Sequence, residues 1–160
     1  MPAERIVTTA DEVDAFIVRA TVEVLEKMFF TGIETGGKGG EIEIESPIQV
    51  ELHFSGPLTG TLRMRTGEAA ARALGSTLTC LEPDEFPRER CIQAAGELAN
   101  MICGCLLSHL EPDANLALTP PEETLDEAGL PGSLRHWFRL PEGELAIEFA
   151  LDPWPSDSLA

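Results

Sequence analysis

Apolar residues recur at helical spacing near the start of the chain. Val13, Phe16, Ile17, Ala20, Val24 and Met28 fall on one side, and Asp14, Arg19, Glu23, Glu26 and Lys27 mostly on the other. The spacing predicts a helix over residues 10–29, with Thr9 or Asp11 as its cap. Gly36-Gly37-Lys38-Gly39-Gly40 follows and reads as a flexible connector. It lacks the Gly-x-x-x-x-Gly-Lys-Ser/Thr order of a phosphate loop, and Ile42 and Ile44 after it alternate like a strand. Ile48, Val50, Leu52 and Phe54 alternate with Gln49, Glu51 and His53, the period-2 pattern of a half-buried strand. Ser55-Gly56-Pro57 turns this strand into Leu58-Thr59-Gly60-Thr61-Leu62, which predicts a hairpin. Thr66 is placed to cap a short helix over residues 67–78, broken by Glu82-Pro83-Asp84. A second long helix is expected over residues 87–110. A strand-like stretch at 116–119 and an acidic loop over 122–132 follow it. Residues 134–140 and 144–151 then form another hairpin around Pro141-Glu142-Gly143.

The expected fold is therefore α+β: an antiparallel sheet covered by two long helices and a short one, built as two crude helix-then-hairpin halves. The 160 residues fit one domain, with a core over about residues 10–151 and a loose tail at 152–160.

The long second helix carries the candidate chemistry. At about 100° per residue, Ile92, Ala95, Ala99, Ile102, Leu106 and Leu110 gather on a core face. Gln93, Glu97, Asn100, Gly104 and Ser108 gather opposite. Glu97 and Asn100 are three apart, so their side chains are neighbours on one turn. Asparagine is a middling helix former, and only two occur in the chain, Asn100 and Asn115. Glycine within a helix costs roughly 1 kcal/mol relative to alanine. Gly104 on the same stripe is accounted for if another backbone approaches there. The remaining residues of the stripe are small or uncharged, as a docking surface requires.

Composition narrows the function classes. Eleven Lys and Arg against 28 Asp and Glu give a net charge of −17. Nucleic acid and anionic lipid surfaces are poor partners for such a chain, because binding phosphate needs clustered cations. Cys103 and Cys105 have a spacing that suits neither Cys-x-x-Cys redox chemistry nor a zinc ribbon, and His53, His109 and His136 are scattered. No metal site and no cofactor of its own are expected. Cys80, Cys91, Cys103 and Cys105 read as reduced thiols of a cytoplasmic protein. No apolar signal core follows Met1-Pro2-Ala3-Glu4-Arg5, and the uncharged stretch Leu98 to Leu110 is well short of the ~18 residues of a membrane span. A small-molecule enzyme would need a nucleophile–base pair or clustered histidines, and neither is legible.

Glu97-Leu98-Ala99-Asn100-Met101-Ile102-x-Gly104 resembles the Glu-x-x-Asn helix of the CheX/CheC family of chemotaxis phosphatases. Phe16-Ile17-x-x-Ala20-Thr21-x-Glu23-Val24-Leu25 is similar to that family's first helix. Leu58-Thr59-Gly60-Thr61-Leu62 with the alanine-rich helix after it, and Leu116-x-Leu118-Thr119-Pro120, match further elements in order. CheC-type members carry Glu-x-x-Asn on both long helices. Here the first helix reads Glu23-Val24-Leu25-Glu26, so the single site resembles CheX.

The resemblance implies a CheC-like fold. It also implies hydrolysis of the aspartyl phosphate on a CheY-like response-regulator receiver domain, in chemotaxis or two-component signalling. Glu97 and Asn100 would be catalytic, and Gln93, Met101, Gly104 and Ser108 would bind the partner. Mg²⁺ would come with the receiver. A non-catalytic adaptor that docks on a receiver or a flagellar-switch protein is the alternative. The acidic segment from Pro120 to Glu127 departs from the family's expected composition after that strand and bears on partner choice. A homodimer with joined sheets is also implied. Arg135-His136-Trp137-Phe138-Arg139, with no acidic residue, offers an exposed strand edge for it.

Overall fold

The computed structural model of the chain describes residues 9–40 and 42–152. Among them are helices α1 (Ala10–Met28), α2 (Glu68–Thr79) and α3 (Arg88–Leu110). The strands are β1 (Thr35–Lys38), β2 (Pro47–Ser55), β3 (Gly60–Gly67), β4 (Ala117–Leu118), β5 (Glu122–Glu123), β6 (Leu134–Leu140) and β7 (Gly143–Leu151). The fold is α+β, with every strand pairing antiparallel in the order β1-β6-β7-β3-β2-β4, and β5 also on β2. The expected tail beyond Asp152 lies outside the described residues.

The two hairpins, β2–β3 and β6–β7, meet along β3 and β7, from Gly60↔Leu151 to Thr66↔Leu145. Each half of the chain is a long helix, then short strand pairing (β1 in the first half, β4 and β5 in the second) and a hairpin, with α2 as the connection between halves. The short strands cross over: β1 pairs with β6 of the second half, and β4 and β5 pair with β2 of the first. This exchange ties the halves into one sheet.

Strict alternation in β2 sends Ile48, Val50, Leu52 and Phe54 into the core. Leu62 and Met64 of β3, Phe138 and Leu140 of β6, and Leu145, Ile147, Phe149 and Leu151 of β7 join them. Val13, Ile17, Ala20, Val24 and Leu25 of α1 and Leu98, Ala99, Ile102, Leu106 and Leu110 of α3 close the same cluster. α3 is 23 residues long with a mean hydropathy of 1.3 in its most apolar stretch, enough by length and composition for a membrane span. In this fold it is the central core helix, packed by α1, α2 and β2.

Of the two caps expected for α1, Thr9 is the one used, its Oγ accepting from the Glu12 amide at 3.1 Å. Several other sequence expectations are corrected. Thr66 does not cap α2: it is buried in β3 and donates its hydroxyl to the Glu144 carbonyl at 2.8 Å, and Gly67 takes the cap position. The glycine cluster is not a loose connector, because Gly36, Gly37 and Lys38 pair with Phe138, Trp137 and His136. Ile42 and Ile44 are not in a strand. β6 is therefore not a free edge: β1 covers it, and the edge on that side belongs to β1. The acidic loop begins as a strand, with Glu122 opposite Glu51 and Glu123 opposite Val50.

Candidate functional site: the outer stripe of α3

The core alternation of α3 leaves one stripe in solvent. Gln93, Glu97, Asn100, Gly104 and Ser108 are all exposed, and Met101 beside them is half-buried against the core. The buried face is wider than expected. Cys91, Ala94, Gly96, Cys103 and Leu107 are also inside, whereas Ile92 is only partly covered. The width follows from α3 having three neighbours: α1, α2 and the sheet.

Glu97 and Asn100 stand one turn apart, and among the described residues neither has a hydrogen-bond or ion-pair partner. An exposed carboxylate and carboxamide on a rigid 23-residue helix thus keep their full bonding capacity for another molecule. Ser108 turns its hydroxyl back to the Cys105 carbonyl at 2.8 Å and offers an acceptor outward. A Cβ on Gly104 would meet nothing within 4 Å. No packing among the described residues demands this glycine. Gly104→Ala is accordingly expected to stabilise the isolated protein by up to about 1 kcal/mol, a rise in Tm of roughly 2–4 °C in a thermal melt.

The N-terminal half of the stripe is held by charge. Arg88 pairs with Glu68 of α2 at 2.6 Å, and Arg72 pairs with the same carboxylate at 2.9 Å. The two guanidinium groups hold the Glu68 carboxyl below its ordinary value, Arg72 contributing most. Arg88 also reaches Glu123 of β5 at 3.8 Å. Pro121 packs on Gly96, where an added Cβ would come within 3.2 Å of the proline ring. Between α2, α3 and the strap formed by residues 121–128 lies an open groove of about 430 Å³, lined by Leu78, Phe86, Ile92 and Pro121 and rimmed by Gln93 and Glu97. The groove was not legible in the sequence, because its walls come from three separate segments.

The cysteines are all free. Cys91 and Cys103 are buried, and burial raises both thiols, Cys103 to about 12. Cys105 is different. It lies half-buried on the α1 side of α3 against Glu23 and His109. That grouping was also missed, although the four-residue spacing of Cys105 and His109 on one helix was a signal for it.

The architecture and the Glu-x-x-Asn helix define a class, and comparison with known proteins identifies it. The profile of the family described as chemotaxis phosphatase CheX matches residues 48–130. The chain belongs to the CheX family. A CheX chemotaxis protein from Vibrio vulnificus is 15% identical with a TM-score of 0.69, the match covering 93% of this chain and 99% of that one. CheX of Borrelia burgdorferi, solved in a complex with CheY, BeF₃ and Mg²⁺, is 20% identical with a TM-score of 0.66, covering 87% and 97%. FliY of Thermotoga maritima shares the fold at 12% identity and a TM-score of 0.57, covering 89% and 91%. Among curated proteins no match to the sequence is found.

Proposed function

We propose that this protein is a cytoplasmic phosphatase that hydrolyses the aspartyl phosphate of a CheY-like receiver domain and so ends its signal. The observation that carries this reading is the pair Glu97 and Asn100, exposed, adjacent on α3 and unpartnered within the described chain. Membership of the CheX family supports it. The complex of the Borrelia relative with CheY supports the class of partner.

Phosphoryl transfer leaves little covalent work for the protein, so positioning and electrostatics dominate. A carboxamide both donates and accepts, so Asn100 can hold a water in line with phosphorus without placing a second negative charge beside the phosphoryl group. A carboxylate there would be repelled. Glu97 instead anchors a cation of the receiver through a charge-assisted bond. Gly104 admits the receiver's backbone, and Gln93, Met101 and Ser108 complete the docking stripe. Glu97 is the lone carboxylate of that stripe, which is not an oxygen cage for Mg²⁺. The metal belongs to the receiver in this reading, and the site is composite. A homodimer remains part of the proposal, with β1 as the pairing edge.

The deciding experiment mixes the full chain with a panel of phosphorylated receiver domains from the same organism and follows phosphate loss. Faster loss from at least one receiver is expected. Binding to a receiver with no acceleration of phosphate loss from any of them would replace the phosphatase with the adaptor reading. The fold shared with FliY is the observation that favours that second reading.

A further inference from the structure

The structure assigns a second, separate site to this chain: we propose that Glu23 of α1 and Cys105 and His109 of α3 bind a borderline divalent transition-metal ion, of the Zn²⁺ class, through one carboxylate oxygen, one thiolate and one imidazole nitrogen. Cys105 Sγ lies 3.3 Å from Glu23 Oε2 and 3.9 Å from His109 Nε2, and His109 Nε2 lies 3.7 Å from Glu23 Oε1. One donor atom from each residue falls in a group within 4.8 Å. Bonds of about 2.3 Å to sulfur and 2.0–2.1 Å to nitrogen and oxygen, in tetrahedral geometry, put donors about 3.3–3.6 Å apart. The Cys105–His109 separation is within tenths of an ångström of that geometry; for one Glu23 oxygen to serve with both, a group that now lies within 4.8 Å must close by up to roughly 1.5 Å through side-chain rotation.

The surroundings suit the role. Cys105 and His109 are four apart on one helix and so project together. The His109 ring stacks on Phe16 of α1, centroids 5.7 Å apart and planes within 4°, which fixes its orientation. All three ligands are half-covered, leaving room for a fourth ligand from solvent. The donor set excludes hard ions, because Mg²⁺ and Ca²⁺ require several oxygens and only one carboxylate is present. In the metal-free protein, burial and the Glu23 carboxylate push the Cys105 thiol up to about 11, so it carries its proton and donates to Glu23. Binding replaces that proton: the S–H bond breaks, the sulfur pair forms the metal–thiolate bond, and one proton leaves to solvent. The ion cross-links α1 to α3, with Cys105 next to Gly104 of the docking stripe.

The test is a Co²⁺ titration of the reduced, untagged full chain, read by absorbance. Thiolate-to-cobalt charge transfer in the near ultraviolet and intense tetrahedral d–d bands should saturate at one ion per chain, and Zn²⁺ should displace both. Cys105→Ser should abolish the charge-transfer band. Glu23→Gln, which keeps shape on a partly exposed side chain, and His109→Gln should each weaken binding by more than about 10-fold, the scale reached by outer-shell changes alone. Cys80→Ser, at an exposed cysteine outside the cluster, should change nothing. A wild-type chain with no charge-transfer band would overturn the assignment. So would a band that survives Cys105→Ser, or unchanged affinity in Glu23→Gln.

Discussion

Asn100→Ala is expected to lower receiver dephosphorylation by on the order of 10²-fold, the scale of a misplaced reactant. Asn100 is exposed and its side chain makes no bond among the described residues, so truncation leaves no buried group unpaired. Alanine is also the better helix former. The melting temperature should therefore hold or rise while turnover collapses. Affinity for a receiver carrying a phosphoryl mimic should change little, because an amide that only positions water contributes mainly in the transition state. Glu97→Gln gives the opposite pattern: the anchor loses its charge, and receiver affinity drops about 10- to 100-fold, typical of a charge-assisted bond. Gly104→Ala should weaken the same binding while stabilising the free protein. Stopped-flow phosphate release and titration with the mimic separate these effects. An Asn100→Ala chain that accelerates phosphate loss as well as the wild type would remove the amide from the mechanism.

That the stripe could be read from sequence is a consequence of its locality. Gln93 to Ser108 lie on one helix, and helical periodicity alone places them opposite Ala95, Ala99 and Ile102. β2 was equally legible, because its inward and outward positions alternate without a break. β1 was not. Gly36 and Gly37 have no side chains to alternate, and what makes them a strand is Trp137, about a hundred residues away. A Cβ on Gly37 would sit 2.7 Å from the Trp137 indole nitrogen, so the ring packs where a side chain would be. Aromatic cover of a strand glycine is a tertiary device, invisible to local periodicity. Thr66 failed for a related reason: a hydroxyl before a helix is a good cap, but here the carbonyl of Glu144 across the sheet claims it. β5 is two glutamates with no pattern, and it is a strand only by its pairing with β2, some seventy residues earlier. The groove beside Glu97 and the Glu23 carboxylate both depend on distant segments for the same reason. Glu23 meets a cysteine 82 residues further on.

The loop after β5 closes on Arg63, and replacing it should be among the most damaging single changes to stability. Arg63 stands on the sheet face away from the helices, only 5% exposed. Its Nε donates to Glu51 at 2.9 Å and its Nη1 to the Ala128 carbonyl at 2.6 Å. Asp126 lies 3.6 Å and Glu148 3.8 Å from the same guanidinium. Three carboxylates and one loop carbonyl thus converge on one cation. The acidic stretch that departs from the family's expected composition is drawn onto the sheet by it. Gln49 adds a bond to the Asp126 carbonyl at 2.7 Å, and the Thr124 amide one to Gln49 at 2.9 Å. The same stretch includes Pro121, the residue seated on Gly96 below the candidate site. Removing one partner of a buried ion pair costs about 3–5 kcal/mol, because the remaining charges are left in a poor solvent. Arg63→Met keeps the length and the apolar stem, so the loss comes from charge and hydrogen bonds. With a urea dependence of about 1–3 kcal/mol per molar, the unfolding midpoint should fall by more than about 1 M. Adding Glu51→Gln should recover part of the loss by removing the carboxylate that lies nearest the vacated guanidinium site. Equal midpoints for wild type and Arg63→Met in urea would show that the strap is held by β5 pairing alone, and that the converging carboxylates contribute nothing.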